Sequence, residues 1–175
     1  KNKNINVFHS RLKIIDLNQR SNQPMTRNGY TIIFNGEIYN FKELRKELQK
    51  NFDFKTYSDT EVLLFSYLKW KEKMFNKING MFSFVIFNNN KKELFFARDL
   101  FGQKPLYYSI SKNSFYFASE IKSLISSNID VSADFTSISE YLHKGDLDFT
   151  KHTWFNNIKQ IEAGQYIKIK SNKII

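Results

Sequence analysis

An α+β fold of stacked layers, with largely antiparallel sheets, is what this 175-residue sequence predicts. Three observations carry that expectation. Strand-like and helix-like segments come in clusters and not in strict alternation. Residues 81–97 read as a hairpin that is apolar on both faces, so layers should lie above and below it. Two helices are announced by a polar cap with a glutamate three positions on, followed by apolar residues at helical spacing.

Taken in order, residues 31–34 are a short β-branched run ending at Asn35-Gly36, a pair that predicts a strand running into a turn. Asn40, with Glu43 three positions on and Leu44 and Leu48 one turn apart, predicts a capping-box helix of about ten residues. Ser58 and Glu61 repeat the device. Val62, Leu63, Phe65 and Leu68 then continue a helix to about Lys71, with Asp59 and Glu61 at its positive end. From Met81 the period becomes two, Asn88-Asn89-Asn90 makes a turn, and residues 94–97 return as the partner strand. Tyr107-Tyr108 and residues 115–117 predict two more strands around a polar turn at 111–114. Short helices are expected over 118–125 and 134–142, and a late strand over 165–170. No Gly/Ser/Pro-rich linker and no repeat divides the chain, so residues 1–175 read as one domain.

The composition narrows the class. With 41% apolar residues, 18 Phe and 9 Tyr, the chain can build an aromatic core and does not read as disordered. No run approaches the roughly 20 apolar residues of a membrane helix, and no signal-peptide pattern opens the chain. There is no cysteine, so no disulfide framework exists and a cytoplasmic location is expected. The net charge of +10 raises the question of nucleic acid, but the lysines are scattered among Asn, Ser and Glu without forming a stripe. Solvated surface charge is the preferred reading. The histidines at 9, 143 and 152 show no metal-ligand spacing, and no phosphate-binding loop of the Gly-x-x-x-x-Gly-Lys type occurs.

Three segments place polar groups where the core pattern stops. In residues 9–16, Arg11 beside an apolar run suits bidentate capture of a carboxylate, or is a surface arginine. In residues 35–40, Asn35 and Gly36 can present a side-chain amide and an unobstructed backbone N–H to a developing oxyanion, with Glu37 beside them; a plain turn is the alternative. In residues 57–61, Asp59 either binds a cation or serves the helix start. Together Arg11, Glu37, Asp59, Asn35 and Gly36 form the set needed to hold a free amino acid, lacking a nucleophile. Its α-carboxylate would meet Arg11, its α-ammonium Asp59 and Glu37, and its side-chain carbonyl the donor pair.

Asn35-Gly36-Glu37-Ile38-Tyr39-Asn40, preceded by Arg11-Leu12-x-Ile14-Ile15-Asp16 and followed by Ser58-Asp59-Thr60-Glu61-Val62, resembles the glutaminase domain of glutamine-dependent asparagine synthetases. Gly80-Met81-Phe82-Ser83-Phe84, Arg98-Asp99-x-x-Gly102-x-Lys104-Pro105-Leu106-Tyr107-Tyr108 and Ala118-Ser119-Glu120-x-Lys122 continue the likeness in the same order, from about Val7 to the chain's end. The Arg-Asp-x-x-Gly-x-x-Pro-Leu stretch is similar to other N-terminal-nucleophile amidotransferases. The Asn-Gly-Glu-Ile-Tyr-Asn run is particular to the asparagine synthetase branch.

The resemblance implies a four-layer αββα sandwich of the N-terminal-nucleophile hydrolase type, incomplete at its N-terminus. It implies attack of an N-terminal cysteine thiolate on the glutamine side-chain amide, with the cysteine's own amine as base. Ammonia would then reach a C-terminal synthetase domain, where ATP and Mg²⁺ activate aspartate for conversion to asparagine. By position, Arg11 is expected to bind the glutamine carboxylate, Asp59 with Glu37 the ammonium, and Asn35 and Gly36 to form the oxyanion hole. The nucleophilic cysteine is absent, and Lys1 lies only ten residues before Arg11, so a truncated, inactive piece of the parent is expected. Glutamine and the parent's synthetase domain are the expected partners, with no nucleic acid and no membrane; a homodimer is an expectation for the parent. Other class II amidotransferases, a cysteine-less relative like the β-lactam synthetases, and a non-catalytic binding module are the alternatives.

Overall fold

The computed structural model describes residues 5–111, 114–127, 129–145, 150–170 and 173–174. Its strands are β1 (Met25–Arg27), β2 (Tyr30–Ile38), β3 (Gly80–Asn88), β4 (Glu93–Arg98), β5 (Tyr107–Ser111), β6 (Ser114–Ala118), β7 (Lys159–Gln160), β8 (Tyr166–Lys170) and β9 (Lys173–Ile174). Its helices are α1 (Phe41–Leu48), α2 (Asp59–Trp70), α3 (Ile121–Ile125) and α4 (Phe135–Lys144), with 3₁₀ turns at Gln19–Ser21 and Lys71–Asn76. The strands form two antiparallel sheets, one ordered β1-β2-β3-β4-β8-β9 and one ordered β6-β5-β7.

Side-chain alternation explains the layering. Ile32, Phe34 and Ile38 of β2, with Phe82, Phe84 and Ile86 of β3, face α1 and α2 in the largest apolar cluster. The intervening residues of the same sheet, Ile33, Val85, Phe96 and Ile169, meet Leu106, Tyr108, Phe115 and Phe117 of the second sheet and its approach. The far side of that second sheet, Tyr107 and Tyr116, packs on Leu124 of α3 with Ile129 and Ile158. The order is helices, six-stranded sheet, three-stranded sheet, helix: the four-layer sandwich. The doubly apolar hairpin of β3 and β4 is buried on both faces because layers cover both.

Helix α2 is the best-anchored element. Every residue from Asp59 to Ser66 is buried. Phe65 stacks on Phe52 at 4.5 Å between ring centres and meets Phe54 edge-on at 4.9 Å. Burial of one such ring contributes about 1.5–3 kcal/mol. Ser58 caps the helix by accepting the N–H of Thr60 at 3.0 Å.

Four local expectations are corrected. Asn35-Gly36 is not a turn; β2 runs through it to Ile38, in register with Ser83 and Phe82 of β3. Asn40 precedes α1 but makes no cap bond. Its amide instead donates to the Lys77 carbonyl at 2.8 Å and accepts the Asn79 N–H at 2.9 Å, fastening the loop that leads into β3. Glu61 does not close a capping box either: it accepts from Thr56, Lys55 and Arg27. The helix expected over 118–125 begins at Ile121, because Ala118 still belongs to β6. Of the expected turn at 111–114, residues 112 and 113 lie outside the described residues.

Candidate active site

Strand β2 has two unlike halves. Its first residues pair with β1 on one edge, Met25 opposite Ile32 and Arg27 opposite Tyr30, but β1 goes no further. Beyond Ile32 that edge is served by side chains. The Gln23 amide acts as a surrogate strand: its oxygen accepts the Phe34 N–H at 2.6 Å and its nitrogen donates to the Phe34 carbonyl at 3.1 Å. His9 also donates to that carbonyl, from Nε2 at 3.1 Å. Four residues on, the Ile38 N–H donates to the Asp59 carboxylate at 3.1 Å. Backbone groups in a strand alternate edges with a period of two. The N–H of Gly36, midway between Phe34 and Ile38, therefore points out along the same edge.

The side chains flanking Gly36 point elsewhere. Asn35 and Glu37 share the face of Ile33, toward the second sheet, whereas Phe34 and Ile38 face the helices. Gly36 itself is required by the neighbouring strand. At φ +144°, a Cβ would sit 2.1 Å from the Met81 carbonyl oxygen. The pleat thus brings an amide side chain, an open-edge N–H and a carboxylate together.

A single cavity of about 1770 Å³ runs between the sheets, and Arg11, Asn35, Gly36, Glu37 and Asp59 all line it, with His9, Gln23 and Thr60. All five residues singled out in the sequence are brought together. Asp59 is buried, and its carboxylate accepts from Ile38 and, at 2.9 Å, from Thr60. Burial raises its pKa, the two N–H groups oppose that rise, and the neighbouring Glu37 charge adds to it. A cation placed against Asp59 would relieve that cost.

Arg11 sits in a stretch without regular structure. Its Nη2 donates to the carbonyls of Ile15 at 2.5 Å and Asp16 at 2.7 Å, while Nη1 only grazes the Asn18 carbonyl at 3.5 Å. Both Nη2 hydrogens are spent on its own loop, so Nε and the weakly engaged Nη1 are what the guanidinium has left to offer. His9, beside it, has its pKa lowered chiefly by burial, against the Phe34 carbonyl and reinforced by the Arg11 charge. Its Nδ1 is buried and has no hydrogen-bond partner among the described residues. Gln23 and His9 escaped the sequence reading because neither residue type in isolation signals a partner 11 or 25 positions away.

The Arg98-Asp99 pair has a different role. Arg98 is buried and donates to the carbonyls of Lys104, Ile161 and Gly102 and to the Gln160 amide oxygen. Asp99 accepts the N–H groups of Phe82, Phe101, Gln103 and Lys104. This motif holds the 99–105 loop and does not line the cavity with its charges.

The sequence matches the glutamine amidotransferase domain family over residues 1–175. The chain belongs to that family. Among curated relatives it is 43% identical to asparagine synthetase (glutamine-hydrolysing) 1 of Bacillus subtilis, over 91% of this chain, and 41% identical to asparagine synthetase 3 of the same organism, over 87%. The chain spans about a quarter of their length, 26% of each. Its fold is shared with the glutamine phosphoribosylpyrophosphate amidotransferase of B. subtilis, with a TM-score of 0.62 at 20% identity over 87% of this chain and 30% of that one. This amidotransferase domain is thus homologous to the glutaminase domains of asparagine synthetases, on an α+β sandwich. Among its described residues no helix is long and apolar enough to cross a membrane.

Proposed function

We propose that this domain binds L-glutamine and is the glutaminase part of an asparagine synthetase, releasing ammonia for ATP- and Mg²⁺-dependent amidation of aspartate by a synthetase domain of the same polypeptide. The observation that carries the reading is the convergence of Arg11, Asp59 and the open edge of β2 on one cavity. A zwitterion needs opposite charges at its α-carbon. Arg11 takes the carboxylate, while Asp59, with Glu37, takes the ammonium and loses the desolvation cost it carries alone. The glutamine side chain then extends toward Asn35 and Gly36.

The chemistry is acyl transfer. Residues 1–175 hold no cysteine, and in this reading the intact parent would supply the attacking thiolate. As it adds to the amide carbon, negative charge develops on oxygen, where the Asn35 side-chain N–H and the Gly36 backbone N–H receive it. The Gly36 N–H is fixed before reaction by its place in the sheet. A donor of this kind loses nothing to reorganisation in the transition state. Ammonia leaves and water hydrolyses the thioester. ATP and Mg²⁺ would serve the synthetase domain and not this one.

Asn35→Ala in the full-length parent tests the reading. Glutaminase kcat should fall by about 10²–10³, while free ammonia still supports amidation. Unchanged glutamine hydrolysis would remove Asn35 from the oxyanion hole.

A further inference from the structure

Arg11 and Asp59 come from separate parts of the chain, and an amino acid fits between them only if their spacing is fixed. Asp59 is held by the first turn of α2 and by Ile38. The 11–18 stretch, by contrast, has no helix or strand to hold it. Among the described residues, two side chains tie it to the body by hydrogen bonds, His9 just before it on the Phe34 carbonyl and Asp16 within it. The Asp16 carboxylate accepts the Tyr57 N–H at 2.7 Å, the Ser21 hydroxyl at 2.7 Å and the Asn18 N–H at 3.2 Å. Tyr57 lies two residues before Asp59 and directly before the Ser58 cap. On its backbone side, the Asp16 carbonyl receives the Arg11 guanidinium. The route from guanidinium to acid is therefore short: Arg11 to the Asp16 carbonyl, the Asp16 carboxylate to Tyr57, and Ser58 to Asp59.

We propose that Asp16 is a positioning residue for glutamine, setting the separation of Arg11 from Asp59 by tying the arginine loop to the start of α2. This rests on the glutamine reading above. Asp16 does not line the cavity and touches no substrate. Its backbone stands at φ +51°, in the left-handed region that glycine or asparagine adopts more readily. A residue kept there for backbone geometry alone would be glycine, so the carboxylate's three hydrogen bonds are what aspartate adds. The side chain is 6% exposed and has the Arg20 Nε at 3.8 Å. Burial pushes its carboxyl up, but the bonds from Ser21, Tyr57 and Asn18 and the Arg20 charge outweigh that and hold it ionised, as an acceptor must be.

Asp16→Gly in the full-length parent is the test, because glycine accepts the backbone angle and removes only the carboxylate. Asp16→Asn keeps an acceptor for Tyr57 and tolerates the same angle. Arg11→Ala is measured in parallel. The expected result for Asp16→Gly is a glutamine KM raised about tenfold with kcat within about twofold, the signature of lost ground-state alignment. Asp16→Asn should restore most of the KM, and ammonia-dependent amidation should not change. An unaltered KM in Asp16→Gly while Arg11→Ala raises it would overturn this inference alone. A parallel fall in kcat and ammonia-dependent rate, unrescued by asparagine, would assign Asp16 to general stability and overturn it too. If Arg11→Ala leaves KM untouched, the glutamine reading itself falls and this inference with it.

Discussion

The Asp59 carboxylate accepts the Ile38 N–H at 3.1 Å, joining the first residue of α2 to the last residue of β2. This bond places a buried acid two residues along the strand from the Gly36 N–H. The acid and the Gly36 N–H are therefore parts of one corner, and the first turn of α2 also orients the acid through the Thr60 N–H.

The pH behaviour follows from that burial. The folded pKa of Asp59 is raised above 3.8, first by desolvation. Glutamine's ammonium favours the ionised form, so its affinity should fall as pH drops through the raised pKa, earlier than for an ordinary aspartate. Asp59→Asn should weaken glutamine by at least about 30-fold, near 2 kcal/mol, and flatten this limb of the KM–pH profile. Linkage gives the opposite sign for stability: the contribution of Asp59 is fully present below pH 3.8 and is lost as pH rises through the folded value. Urea midpoints of wild type and Asp59→Asn across this window measure it. A wild-type stability difference that grows with rising pH would contradict the raised pKa.

Gly36→Ala should be the most damaging glycine substitution in the first sheet. The new Cβ meets backbone, 2.1 Å from the Met81 oxygen and 2.8 Å from the Phe82 Cα, and neither can swing aside as a side chain would. Strand separation must change, at about 2 kcal/mol or more. Gly145→Ala is the control, since its φ, at +70°, is also positive but a Cβ there would have nothing within 4 Å; about 1 kcal/mol is expected there. Equal losses of Tm in the two variants would refute the close-approach account.

How much of this could be read beforehand depends on the range of the interaction. The β3–β4 hairpin and α2 were legible because periodicity and capping are local. The five cavity residues were legible because their chemical types complement a zwitterion, although the sequence alone could not bring them together. Asn35-Gly36 misled because the pair is a turn signal in isolation, whereas nine residues of pairing with β3 hold it extended. Asn40 misled for the same reason: its amide serves a loop 37–39 residues away instead of its own helix. The Asp16–Tyr57 bond spans 41 residues, and no local pattern announces it.

Glu61 gives a stability prediction with a built-in comparison. Its side chain is fully buried and accepts from Arg27 Nε at 2.6 Å, from the Thr56 N–H and hydroxyl at 2.7 Å each, and from the Lys55 N–H. Glu61→Ala orphans these donors together and should cost about 3–5 kcal/mol. Arg27 is 23% exposed, so water replaces part of what Arg27→Ala removes, and about 1–2 kcal/mol is expected. Chemical denaturation of both variants and the double mutant measures the coupling. Additive losses would mean that the ion pair contributes nothing of its own.

Arg98 should be irreplaceable by lysine although it does not line the cavity. Its Nε donates to the Lys104 carbonyl at 3.0 Å, Nη1 to Ile161 at 2.9 Å and Nη2 to Gly102 at 2.6 Å, three carbonyls approached from different directions. A planar fork of five N–H groups meets all three at once, whereas an ammonium on a thinner stem reaches at most one side of the array. The buried carbonyls left behind each cost about 1–3 kcal/mol. Arg98→Lys should therefore lose about 3 kcal/mol and lower Tm by about 6–12 °C for a domain of this size, nearly as much as Arg98→Met. Glutamine KM of the folded fraction should stay at the wild-type value, since the damage falls on the 99–105 loop. A lysine variant within about 1 kcal/mol of wild type would show that charge alone, and not the geometry of the guanidinium, holds the second sheet to β4.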